Sequence, residues 1–126
     1  MQQSIEPFAD VDIAGCEGDE AEAFRPLALA LIDQHFPGCQ IGGIGLFLLE
    51  PGQIHPVHTD AQPPEWVTRV HIPLVTNPHA VATTEDGPIH MAAGKAYKFD
   101  TRTEHAVANG GKTPRIHLVF EVHKCT

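Results

Sequence analysis

His58-Thr59-Asp60 places an imidazole and a carboxylate at i and i+2, so on an extended chain both point to the same side, within reach of one cation. Alone the pair says little, because surface His and Asp are common. Downstream, however, stand His105 and, ten residues later, Arg115. Two histidines and one carboxylate make a facial donor set that leaves three positions open on an octahedral iron. That arrangement suits an Fe(II) oxygenase, which must bind a co-substrate and then O₂. Arg115 adds a planar donor fork able to clamp a carboxylate.

Two segments repeat a pattern around these residues. Arg69-Val70-His71-Ile72-Pro73-Leu74 and Arg115-Ile116-His117-Leu118-Val119-Phe120 each carry Arg and His on one strand face and aliphatic or aromatic residues on the other. With the apolar faces packed on a helix, the cationic faces would line the concave side of a sandwich. Solvated faces of a half-exposed sheet are the other reading of the same pattern. His117 is either a residue orienting a neighbour through its ring nitrogen or a satisfied core histidine. His55, His79, His90 and His123 fall in turns or at strand ends and are assigned no role. Trp66, Tyr97 and Phe99 read as core, and Asp100 to Thr103 as a turn.

The elements that must hold these side chains follow from periodicity and breakers. Residues 1–20 are polar and acidic and read as an arm or loop. Residues 21–36 carry Phe24, Leu27, Leu31 and Ile32 at helical spacing and stop at Pro37-Gly38, which predicts one amphipathic helix. Short strands are expected over 41–49, 53–58, 66–75, 80–84, 88–92, 96–100, 105–109 and 114–122, divided by Pro51-Gly52, Pro63-Pro64, Asn77-Pro78, Asp86-Gly87, Gly94 and Gly110-Gly111. The expectation is a single, mainly β domain over 1–126, with a sandwich or barrel core over 41–122 and the helix on its outer sheet face.

The 126-residue chain, 42% hydrophobic and 19% charged, can bury one core and no second one. Its formal charge of -8 lacks the basic footprint of a nucleic-acid or anionic-membrane binder. The longest apolar run, Ile41 to Leu49, contains three glycines and falls short of the roughly 18 to 20 residues that span a bilayer. No secretory signal is visible at the N-terminus, so the cytoplasm is the expected compartment. Cys16, Cys39 and Cys125 are far apart and odd in number, which argues for bystanders rather than a disulfide framework or thiolate zinc site.

From Gly45 to Phe120, about six tenths of the chain, these features occur together with Pro51-Gly52, Thr76-Asn77-Pro78, Met91, Gly94, Phe99-Asp100 and Asn109. In that order and spacing the chain resembles the aspartyl/asparaginyl β-hydroxylase family of Fe(II)- and 2-oxoglutarate-dependent oxygenases. The resemblance implies a double-stranded β-helix (jelly roll), with His58, Asp60 and His105 as iron ligands. It further implies that Arg115 grips the far carboxylate of 2-oxoglutarate and that Arg69 and His71 contact its other end. Animal members are known for a glycine in place of the metal carboxylate, whereas Asp60 here resembles the complete triad of bacterial relatives. Phe47 stands where some members place a hydroxyl beside the clamping arginine. The helical-repeat domain of large members has no counterpart, so no particular substrate carries over.

The expected activity is hydroxylation of a small-molecule, amino-acid-like or peptidyl substrate, with O₂ and 2-oxoglutarate consumed and succinate and CO₂ released. The rival class is a cupin-like jelly roll that binds a metal or small ligand without oxygenase turnover. Cupins usually draw two ligands from a His-x-His unit, and His55-Pro56-Val57-His58 is not one.

Overall fold

The computed structural model of the chain describes residues 4–13 and 20–124. Cys16 and Cys125 lie outside the described residues. The described elements are strands β1 (Ile5–Asp10), β2 (Gln40–Leu49), β3 (Ile54–His58), β4 (Trp66–Val75), β5 (Ala80–Thr84), β6 (Gly87–Ile89), β7 (Lys95–Phe99), β8 (His105–Asn109) and β9 (Arg115–His123), with one helix, α1 (Arg25–His35), after a 3₁₀ turn over Ala21–Phe24. They form two antiparallel sheets, ordered β1-β7-β4-β9-β2 and β3-β8-β5-β6. This is the two-sheet arrangement expected from the strand spacing, and the jelly roll that the family resemblance implies. None of the described helices is long and apolar enough to cross a membrane.

The larger sheet has the two faces that residue parity predicts. Val70, Ile72, Leu118, Phe120 and Val122 form one buried cluster with Phe24, Ala28, Leu31, Ile32 and Phe36 of the helical segment, and Leu74 packs at its edge. The helix therefore covers the outer face. Burying a Leu- or Phe-sized side chain is worth about 1.5–3 kcal/mol, so this layer holds the sheet flat against α1 while its other face stays free for polar residues. A second cluster, Ile5, Ala82, Met91, Tyr97 and Phe99, ties β1 and β7 to the smaller sheet.

Two sequence expectations are corrected. Residues 1–20 are not an arm throughout, because Ile5–Asp10 pairs with β7 from Ile5↔Phe99 to Asp10↔Lys95. Pro7 and the flanking acids suggest a loop, yet β1 is an edge strand, where a missing N–H costs no ladder bond, and the register shifts just past Pro7. The α-helix also begins at Arg25, not Ala21. Pro26 sits in its first turn, the one place in a helix where proline's missing donor is harmless, and the four residues before it tighten into the 3₁₀ turn.

Candidate metal centre

A β-bulge sets up the site. Ile54↔Ala108 and His55↔Val107 pair in regular register, but the register then slips so that His58, not Val57, reaches the end of β8 and lies opposite His105. Pro56 cannot donate to the ladder, which accounts for a bulge at this point. The two imidazoles lie 4.3 Å apart, centroid to centroid. Asp60 lies just past the end of β3, not on it. Its N–H donates to the Thr101 carbonyl at 2.9 Å, and this bond swings the carboxylate back toward both histidines.

The donor atoms converge. Asp60 Oδ2 is 3.7 Å from His58 Nε2 and 3.5 Å from His105 Nε2, and one ligand atom from each residue lies within 4.8 Å of the others. His58 Nδ1 lies 2.6 Å from the Pro56 carbonyl and His105 Nδ1 lies 2.8 Å from the Thr103 carbonyl. A carbonyl can only accept, so each Nδ1 carries the proton and each Nε2 offers its lone pair to the centre. That is how metal-binding histidines are oriented. The donor set of two imidazole nitrogens and one carboxylate fits a divalent transition metal with open coordination positions.

The centre opens into a cavity of about 430 Å³ between the sheets. Arg69, His71 and Arg115 line it with the three donors, so the cationic face predicted for β4 and β9 is the concave one. Arg69 Nη1 is 3.6 Å from Asp60 Oδ2. Its Nε and that of Arg115 are buried without a hydrogen-bond partner. Burial draws the Arg115 pKa down to about 10, which leaves the guanidinium charged at neutral pH. A buried guanidinium Nε without an acceptor calls for an anion.

An asparagine network joins the β4–β5 connection to the β8–β9 connection that leads into Arg115. Asn77 Nδ2 donates to Asn109 Oδ1 (3.1 Å) and the Thr113 carbonyl (3.0 Å), while Asn109 Nδ2 donates to the Leu49 and Thr113 carbonyls, both at 2.9 Å. Leu49 is the β2 partner of Arg115. This network fixes the loop that delivers the arginine to the cavity wall.

His117 lies behind His71, with the two Nδ1 atoms 3.1 Å apart. Burial, then Arg115 and Arg69, push the His71 pKa down to about 3, and burial and His71 hold His117 well below the ordinary range. Both rings are therefore neutral, and one donates to the other. His55, Phe99 and Thr101 are among the lining residues that the sequence left without a site role. His55 reaches the cavity, Phe99 packs against His71 and His105 as well as filling core, and Thr101 faces the cavity from what reads as a plain turn.

The sequence carries the same message over most of its length, since residues 14–124 match the family model described as aspartyl/asparaginyl beta-hydroxylase. The chain belongs to that family. The L-proline cis-4-hydroxylase of Rhizobium meliloti (strain 1021) is 39% identical over 57 residues, 45% of this chain. The matched stretch covers 20% of that relative. Among solved structures, an oxidoreductase of the 2OG-Fe(II) oxygenase family from Burkholderia pseudomallei superposes with a TM-score of 0.58 at 16% identity, covering 94% of this chain and 72% of that one. A prolyl-4-hydroxylase from Pseudomonas putida gives 0.52 at 21%, covering 82% and 64%. At such identities the likeness is one of fold. In this member of the β-hydroxylase family, two sheets bring two histidines and one carboxylate together.

Proposed function

We propose that this β-hydroxylase family member is an Fe(II)- and 2-oxoglutarate-dependent dioxygenase acting on an amino-acid-like or peptidyl substrate. The observation that carries the reading is the single cavity in which His58, Asp60 and His105 converge and two arginines present buried, unpartnered Nε groups. His58 Nε2, His105 Nε2 and an Asp60 oxygen would hold the iron. Iron bound there with O₂ would supply the oxidation in which 2-oxoglutarate becomes succinate and CO₂ while a substrate C–H becomes C–OH.

The chain's own residues do the rest. Arg115 binds the far carboxylate of 2-oxoglutarate, and Arg69 and His71 face its other end. In a protein of net charge -8, these two arginines and the metal supply the local positive field that draws a dianion into the cavity. Leu46, Phe47, Leu48 and Val107 give the cavity an apolar wall for the carbon skeleton of a substrate. An amino-acid-like substrate agrees with the relative named as a proline hydroxylase.

The test is succinate release from 2-oxoglutarate by the iron-loaded chain in air, followed across a panel of free amino acids and short peptides. Substrate-stimulated succinate is the expected result. A chain that binds iron and 2-oxoglutarate yet releases no succinate with or without substrate would instead be a binding protein on the same fold.

A further inference from the structure

The turn after β7 uses nearly all of its polar groups. Asp100 accepts from the Arg102 N–H and guanidinium, the Thr103 hydroxyl donates to the Asp100 carbonyl, and the Asp100 N–H donates to Ser4. The Thr101 carbonyl takes the Asp60 N–H. The Thr101 hydroxyl is left over. Its residue is 2% exposed, its Oγ1 is buried without a partner, and it lines the metal cavity.

A valine would fill the same volume without the cost of burying an unpaired hydroxyl, so this hydroxyl is carried at the expense of the ligand-free fold. Arg69, whose Nη1 lies 3.6 Å from Asp60 Oδ2, lines the same cavity, and its Nε is likewise buried and unpartnered. A hydroxyl and a guanidinium N–H left open beside a metal donor are both satisfied by one group, an anionic oxygen pair. Given the oxygenase reading above, the carboxylate that must lie against the metal donors is the one adjoining the keto group of the 2-oxo acid.

We propose that Thr101 is a co-substrate-binding residue whose hydroxyl donates, beside Arg69, to the 2-oxo-acid carboxylate, at the end of the cavity opposite the Arg115 clamp. Its backbone bond to Asp60 couples that contact to the metal carboxylate, so the hydroxyl and the metal donor are placed together.

Thr101→Val, Thr101→Ala and Thr101→Ser test this in full-length protein loaded with Mn(II) in place of iron. Binding of 2-oxoglutarate and of pyruvate, which has the 2-oxo-acid end alone, is measured by calorimetry, and the ligand-free proteins are melted in parallel. The expected result is that Thr101→Val melts at or above the wild-type temperature yet binds both acids about tenfold or more weakly, with Thr101→Ser close to wild type. Arg115→Ala should weaken 2-oxoglutarate and spare pyruvate. Unchanged affinity in both Val and Ala variants overturns the proposal, as does loss confined to 2-oxoglutarate. A Thr101→Val protein melting well below wild type makes Thr101 a structural residue and also overturns it. Failure of the wild-type protein to bind 2-oxoglutarate would defeat the oxygenase reading itself and this inference with it.

Discussion

His58 and His105 are cross-strand partners whose Nδ1 nitrogens are each tied to a carbonyl two residues back along the chain, Pro56 and Thr103. Backbone carbonyls orient both rings, so their donor geometry exists before any metal arrives. His58→Ala and His105→Ala should each abolish tight iron binding, and Asp60→Ala should weaken it less, since some family members lack that carboxylate. His79→Ala and His90→Ala should leave iron content at the wild-type level. Metal analysis after anaerobic loading checks this, and equal losses in all five variants would show that the cluster is not the binding site.

Arg115 should act on the co-substrate and not on the metal. Arg115→Ala is expected to bind iron normally while its 2-oxoglutarate requirement rises by roughly 30-fold to several thousand-fold, the equivalent of about 2–5 kcal/mol for a shielded, charge-assisted contact. Arg115→Lys keeps the charge but loses the fork, and should fall in between. Succinate formation titrated against 2-oxoglutarate reads the effect, and loss of iron in both variants would assign Arg115 to the fold.

The His71–His117 pair makes the acid side of the stability profile steep. Both groups are held below their ordinary pKa in the folded chain, His71 at about 3, so below about pH 6.5 the unfolded chain binds protons that the folded one does not. Their contribution is intact above pH 6.5 and is lost progressively as pH falls below it. Urea unfolding from pH 8 to pH 5 should therefore show a shallower decline for a His71→Gln/His117→Gln double variant than for wild type. Parallel declines would mean that the pair is not neutral in the fold.

Much of this was legible in the residues. Parity alone put Arg69, His71, Arg115 and His117 on one face and Val70, Ile72, Leu118 and Phe120 on the other, because a half-buried strand must alternate. Glycine and proline breakers located the strands from β2 to β9. The edge strand β1 was hidden by Pro7, and the helix start by the apolar spacing of Phe24, which runs on into a 3₁₀ turn. The role of Thr101 was hidden because a threonine in a turn usually caps it, and only the fold shows that its hydroxyl is left unpaired. His58 and His105 are 47 residues apart, and no spacing rule reveals the bulge that sets them face to face.

The loop before Arg115 should be sensitive to one added methyl group. A Cβ on Gly111 would occupy the space of the Asn77 amide, which is pinned by Asn109 and Thr113. Gly111→Ala is expected to cost about 1–3 kcal/mol of stability. Because the same network seats Arg115, it should also weaken 2-oxoglutarate binding several-fold while iron affinity holds. Chemical unfolding together with the two binding titrations measures this, and full 2-oxoglutarate affinity in a destabilised variant would separate the network from the arginine.

Three side chains that hold Fe(II) and leave adjacent positions open would admit 2-oxoglutarate to the metal. Anaerobic titration of the iron-loaded wild-type chain with 2-oxoglutarate tests it most directly, by visible absorption. Chelation of a 2-oxo acid by iron at such a site gives a weak charge-transfer band in the visible that saturates at one equivalent per chain, and that band is the predicted result. A chain that carries iron on His58, Asp60 and His105 but shows no band at saturating 2-oxoglutarate would contradict the claim.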